Sequence, residues 1–192
     1  QKELANAISL NSQEPLFWSQ LAENSAMIAF AYSQKEASAS VPLSGDSAGL
    51  IKQLAEIADL QAQKTLSMNP YHVNNYKSAV KVYLYMSSID PSYRQKAIVT
   101  LKYAAGLAPT DPKLTYNLGQ IYQEANDKEK ARDYFEQTVK LKPNYLVAHL
   151  ALAKLYHELG KKDKALAELK FILDNLDPGN EETLYWLKEW QK

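Results

Sequence analysis

The residues that could do chemistry are few. The three histidines are His72, His149 and His157. His149 and His157 are eight residues apart, so on one helix they share a face but stand about 12 Å apart along its axis, too far to hold one metal ion. No carboxylate stands four residues beyond either of them. His149 is expected to pack in the core, at the place that Trp18 takes earlier in the chain. The sequence has no cysteine, which excludes disulfides, thiolate catalysis and cysteine-based metal sites. The six glycines, Gly45, Gly49, Gly106, Gly119, Gly160 and Gly179, are scattered and form no phosphate-cradling loop. Ser44-Gly45-Asp46-Ser47 sets a carboxylate among hydroxyls, but that pattern suits a turn and a helix cap better than a nucleophile or a calcium ligand. No Ser-His-Asp arrangement has supporting context. The residues therefore predict no catalytic site, no metal and no cofactor, and the 13 tyrosines read as packing residues rather than as a stacking platform.

Composition narrows the classes further. The 22 basic and 22 acidic residues cancel, and the basic bias of a nucleic-acid partner is absent. The densest apolar run is Val82-Tyr83-Leu84-Tyr85-Met86, far short of the roughly 18 residues that a membrane span requires. No membrane insertion is expected from this segment. The chain opens on Gln1, no signal-peptide pattern follows, and the expectation is a piece of a longer protein.

The elements that position these residues are amphipathic helices in pairs. In Asp111 to Pro143, Leu114, Leu118, Gly119 and Tyr122 recur every three or four positions. A polar break follows at Asn126-Asp127-Lys128, then come Ala131, Phe135, Leu141 and Pro143. This spacing predicts two helices joined by a tight turn. The pattern recurs along the chain. Residues 1–12, with Leu4, Ala7 and Leu10 on one face, read as the second helix of a preceding repeat. Residues 13–70 read as an enlarged repeat, with a loop over about 35–48 and a second helix burying Leu50, Leu54, Ile57, Ala58, Leu60, Ala62 and Leu66. Residues 71–109, 110–143 and 144–178 read as three further repeats. Residues 179–192 read as a terminal helix that covers the last apolar face, with Leu184, Tyr185, Leu187 and Trp190 as its apolar residues. Gly119 and Ala153 are expected where two helices cross closely, with Ala131 and Ala165 in the same role on the second helices. Tyr122 and Tyr156 are expected to fill the gap to the next repeat.

Leu118-Gly119-x-x-Tyr122, Ala131, the aromatic Phe135 and the closing Pro143 resemble the tetratricopeptide repeat (TPR) family. The resemblance implies an all-α solenoid of antiparallel helix pairs wound into a right-handed superhelix, with the first helices lining a concave groove that binds a protein or peptide. Carried over by position, it assigns Asn74, Lys77, Lys81, Leu84 and Tyr85 to the groove in one repeat. The next repeat supplies Lys113, Tyr116, Gln120, Gln123 and Glu124, and the last Val147, Leu150, Lys154, His157 and Glu158. The subclass that clamps a chaperone's C-terminal carboxylate is not matched. Lys77 and Asn117 fit, but Lys81, Val147 and Ala151 stand where Asn, Lys and Arg are wanted.

The enlarged first repeat, the turn Ile89-Asp90-Pro91-Ser92-Tyr93 and the junction Leu107-Ala108-Pro109-Thr110-Asp111-Pro112 also look like the soluble C-terminal TPR region of bacterial O-antigen ligase/polymerase-type membrane proteins. That resemblance implies an accessory domain that recruits partners or glycan, with the ligase chemistry elsewhere. The leading expectation is a non-enzymatic peptide-binding scaffold. Self-association through Leu4, Ala7 and Leu10 is a further one.

Overall fold

A computed structural model describes residues 14–38 and 47–191. Among the described residues there are nine helices and no strands. In chain order they are α1 (Pro15–Ser38), α2 (Ser47–Met68), α3 (Val73–Ser87), α4 (Ser92–Leu107), α5 (Pro112–Glu124), α6 (Lys128–Leu141), α7 (Leu146–Glu158), α8 (Lys162–Asn175) and α9 (Glu181–Trp190). They form two compact units, one ending at Leu107 and one beginning at Ala108. The predicted helix within residues 1–12, the face of Leu4, Ala7 and Leu10, and Asp46 lie outside the described residues.

In the N-terminal unit α1 packs on α2 and α3, α2 also packs on α3, and α3 pairs with α4. The first pair is long, 24 and 22 residues. Helix continues to Ser38 and resumes at Ser47, so the predicted loop over 35–48 is too wide. Lys35, Glu36 and Ala37 are good helix formers, and Ser47 Oγ donates to Glu36 at 2.6 Å, joining the two ends.

The buried stripe of α2 is only partly the predicted one: Ala58 and Ala62 are inside as expected and Leu54 and Leu66 half-buried. Ile51, Ala55, Ala58, Ala62 and Thr65 are inside, whereas Leu50, Ile57 and Leu60 are exposed. The facing stripe of α1 is Ser19, Ala22, Ser25, Ala26 and Ala29. Two stripes of small residues let the helices approach closely, and close approach turns the larger side chains outward. Ser25 Oγ donates to Gln61 at 3.1 Å across the pair.

In the C-terminal unit the pairs are α5/α6 and α7/α8, with α7 also on α6 and α9 on α8. Three starts are capped as their sequences require. Asp111 accepts from the Lys113 amide at 2.9 Å, Asp127 from the Lys130 amide at 3.2 Å and Asn180 from the Thr183 amide at 3.0 Å. Gly119 lies at a close helix crossing, where a Cβ would stand 2.5 Å from two ring carbons of Phe135, and Ala153 is fully buried. Tyr122 is buried and stacks on Tyr134 of its own pair, at 5.5 Å and 4°. Tyr156 reaches back, its hydroxyl donating to Glu136 at 2.7 Å. Burial and then that hydrogen bond raise the Tyr156 pKa. On α9, Trp190 is buried as expected, together with Thr183, and Leu187 is half-buried, while Leu184 and Tyr185 are exposed.

Ala131 is fully buried in α6. Replacing it with leucine is expected to overpack the α5/α6 crossing and destabilise the unit by about 1–3 kcal/mol. Urea denaturation of the two proteins measures this directly.

Candidate functional site

In the N-terminal unit the groove positions lie on α3. Its N-cap, His72, makes no side-chain capping bond. Tyr76 anchors the helix start, its hydroxyl donating to the Pro70 carbonyl at 2.8 Å and its ring stacking on Tyr103 at 4.8 Å. Asn74 and Lys81 are exposed and Lys77, Leu84 and Tyr85 half-buried. Lys81 Nζ is paired with Glu23 of α1 at 2.9 Å. The hydrogen bond to Glu23 and then its charge hold the ammonium pKa above the usual lysine value. Tyr85 packs on Phe30 of α1, centroids 5.6 Å apart. The structure thus joins the α3 positions to an α1 surface that supplies Glu23 and Phe30.

In the C-terminal unit Lys113, Gln120 and Glu124 are exposed on α5, and Gln123 is half-buried. Tyr116 leans on Phe135 and Tyr145, with centroids at 5.6 and 5.5 Å, and burial followed by the neighbouring Tyr145 raises its pKa. On α7, Leu150 is buried. This corrects its assignment as a contact residue: it forms the floor beneath the face. Val147 is exposed. Lys154 Nζ pairs with Glu182 of α9 at 2.6 Å and lies 5.8 Å from the centre of the Trp186 ring. His157 is exposed but stacked on Trp190, 4.2 Å apart at 9°. Glu158 pairs with Lys128 at 3.1 Å. Two of the four lysines at the groove positions, Lys81 and Lys154, are therefore paired with the protein's own carboxylates.

Sequence reasoning missed the partners Glu23, Glu182, Trp186 and Trp190. A signal for the α9 residues was present. Thr183 and Trp190 fall 35 residues after Ala148 and Leu155, so α9 repeats the first-helix pattern instead of serving only as a lid.

His149 is buried, as expected for the place of Trp18, and its ring stacks on Phe171 at 4.6 Å. Nδ1 lies 2.7 Å from Glu168 and Nε2 lies 2.9 Å from the Pro143 carbonyl. Both partners are acceptors, an arrangement that favours the doubly protonated ring. Burial works against the charge, but these bonds outweigh it and raise the His149 pKa above the usual histidine value. Among the described residues no group of three or more His, Asp or Glu is placed to hold a metal, and no helix is long and apolar enough to cross a membrane.

The fold and these surfaces define an all-α helical-repeat protein. The tetratricopeptide-repeat family matches residues 112–145 and, in a second form, 129–177, so it is the repeats of the C-terminal unit that match it. Among curated relatives, 120 residues are 28% identical to UDP-N-acetylglucosamine–peptide N-acetylglucosaminyltransferase of Giardia intestinalis, covering 62% of this chain and 8% of that protein. A stretch of 108 residues is 30% identical to anaphase-promoting complex subunit 3 of Schizosaccharomyces pombe, covering 56% of this chain and 16% of that one. The chain thus spans a small part of the length of these relatives. Among solved structures, MamA of Desulfovibrio magneticus superposes with a TM-score of 0.63 at 16% identity, over 94% of this chain and 85% of that one. YrrB, described as a TPR protein with an unusual peptide-binding site, superposes with a TM-score of 0.59 at 17% identity, over 97% and 81%. These likenesses establish the TPR solenoid fold.

Proposed function

We propose that the chain is a non-catalytic scaffold that binds an extended protein or peptide segment along the first-helix faces of its repeats. The observation that carries this reading is the surface itself. Lys113, Gln120, Glu124 and Val147 in one unit, and Asn74 and Lys81 in the other, are exposed side chains of mixed chemistry on the first helices of their pairs. Half-buried Tyr116 and Tyr85 stand beside them. Amide, aromatic and aliphatic groups so arranged suit recognition of an extended chain through its backbone and alternate side chains. TPR proteins are generally non-catalytic scaffolds, and YrrB is described by its peptide-binding site, which supports the same reading. A parent of the O-antigen ligase/polymerase type gains no support from the relatives and structures reported above.

Because Lys81 and Lys154 are already paired, affinity is expected to rest on amides and aromatics and to change little with salt. The test is selection from a random-peptide display library, followed by fluorescence anisotropy on the selected peptides. Gln120→Arg or Tyr85→Ala is expected to weaken binding at least about tenfold. A library without binders, or binders indifferent to both substitutions, overturns the proposal.

A further inference from the structure

Between the first turns of α1 and α3, within the N-terminal unit, lies a cavity of about 300 Å³. That is the size of a small ligand pocket or of a pocket for one side chain. Its lining is mixed: Pro15 and Leu16 are apolar, while Ser19, Asn69, His72, Asn74, Asn75 and Ser78 bring polar groups.

Two of these residues are more than nine-tenths buried: Ser19 is 5% exposed and Asn75 8%. Buried hydroxyls and amides are almost always hydrogen-bonded. Elsewhere in this unit the rule holds, as Ser25 bonds to Gln61 and Thr65 Oγ1 to the Gln61 carbonyl. At the cavity the polar atoms are not sealed in the core but open into it, since among the described residues the one buried polar side-chain atom without a partner is Trp186 Nε1. The hydroxyls of Ser19 and Ser78 make no hydrogen bond among the described residues. Asn75 Nδ2 reaches the Thr65 and Asn69 carbonyls only at 3.5 Å each, the outer limit for such a bond. Its Oδ1 accepts none.

The sequence explains the opening. Ser19 stands at the repeat position that Tyr116 and Leu150 fill with large side chains. Beneath it the floor is made of small residues, including Ala22, Ala62 and Ala79.

The chemistry of the walls selects the guest. An apolar group would leave Ser19 and Asn75 unpaired. A carboxylate or phosphate would meet no cation in the lining, and Glu14 at the rim would repel it. A group that both donates and accepts satisfies the hydroxyls and the Asn75 amide together. We infer that this cavity is a specificity pocket for the primary amide of an asparagine or glutamine side chain in a bound peptide. The inference rests on the scaffold reading for the presence of a peptide, but the pocket's preference can be tested without one.

The probe is N-acetyl-glutamine methylamide, titrated into the ¹⁵N-labelled chain and followed by NMR. Saturable shifts are expected at the amides of Ser19, Asn75 and Ser78 and at the Asn75 side-chain NH₂. The glutamate and leucine analogues are expected to produce weaker shifts. Ser19→Ala, which removes one neutral hydrogen bond, is expected to lower affinity about three- to tenfold. Ser19→Leu, which fills the cavity as Leu150 fills its own position, is expected to abolish the response. Equal responses to glutamine and leucine, the absence of saturation, or an unchanged response in Ser19→Leu would overturn the inference. If that happens while library peptides still bind, the pocket is removed and the scaffold reading stands. A saturable, glutamine-selective response without any peptide binder keeps the pocket and removes the scaffold reading.

Discussion

Replacing Phe135 with alanine is expected to destabilise the C-terminal unit by about 3–5 kcal/mol, the range for emptying a fully buried aromatic site. Phe135 is completely buried. Its ring lies against Gly119, where a Cβ would stand 2.5 Å from Cδ1 and Cε1, and its centroid is 5.6 Å from Tyr116. The ring is therefore fixed from two sides of α5. The same contact makes Gly119→Ala unfavourable although alanine is the better helix former. One methyl group forces the ring or the helix to move, and the expected loss is about 1–3 kcal/mol. The two effects share a cause and are not additive. In Gly119→Ala/Phe135→Leu the smaller side chain frees the space that the methyl needs. The double variant is expected to lose less than the sum of the single ones, by about 0.5–3 kcal/mol. Urea denaturation read from Trp186 and Trp190, in a Trp18→Phe background, follows this unit alone. Strict additivity would show that the ring does not limit the approach of α5 and α6.

This contact was legible in the sequence because its code is local. Leu118-Gly119-x-x-Tyr122, followed by Ala131 and Phe135, sets two helices and the point where they touch. The starts at Asp111, Asp127 and Asn180 were legible for the same reason, since a cap and its amide are two or three residues apart. Less legible was the choice between two apolar stripes on one helix. On α2, Leu50, Ile57 and Leu60 are the more hydrophobic set. Ile51, Ala55, Ala58 and Ala62 are buried instead, because the facing stripe of α1 is small and favours close approach. The partners at the candidate site were legible least. Lys81 meets Glu23 across 58 residues and Lys154 meets Glu182 across 28. Such pairs depend on how neighbouring helices are offset, which spacing within either helix does not encode. Their consequence is that Lys81 and Lys154 are already engaged by the protein's own carboxylates.

The His149–Glu168 pair, 19 residues apart, leads to a stability that depends on pH. Burial alone pushes the His149 pKa down and is the largest single influence. The hydrogen bonds to Glu168 and to the Pro143 carbonyl, with the charge of Glu168, outweigh it, and the net value lies above the ordinary 6.5. The folded state therefore binds this proton more tightly than the unfolded chain does. The stabilisation is fully present below the unfolded value near 6.5 and is lost as pH rises through the higher folded value. Glu168→Gln removes the charged acceptor while keeping the shape. At pH 6 it is expected to cost the C-terminal unit about 1.5–3 kcal/mol, the range for a hydrogen bond to a charged group. As pH rises toward 8.5 through the raised folded-state pKa, the difference is expected to shrink. His149→Gln should flatten the wild-type decline between the two pH values, since the titrating group is gone. The readout is urea denaturation of the three proteins at both pH values in the Trp18→Phe background. A Glu168→Gln penalty that is the same at pH 6 and pH 8.5 would show that His149 does not carry its charge in the folded protein. The geometry argues otherwise, because a ring held between a carboxylate and a carbonyl has an acceptor at each nitrogen and can satisfy both only as the imidazolium.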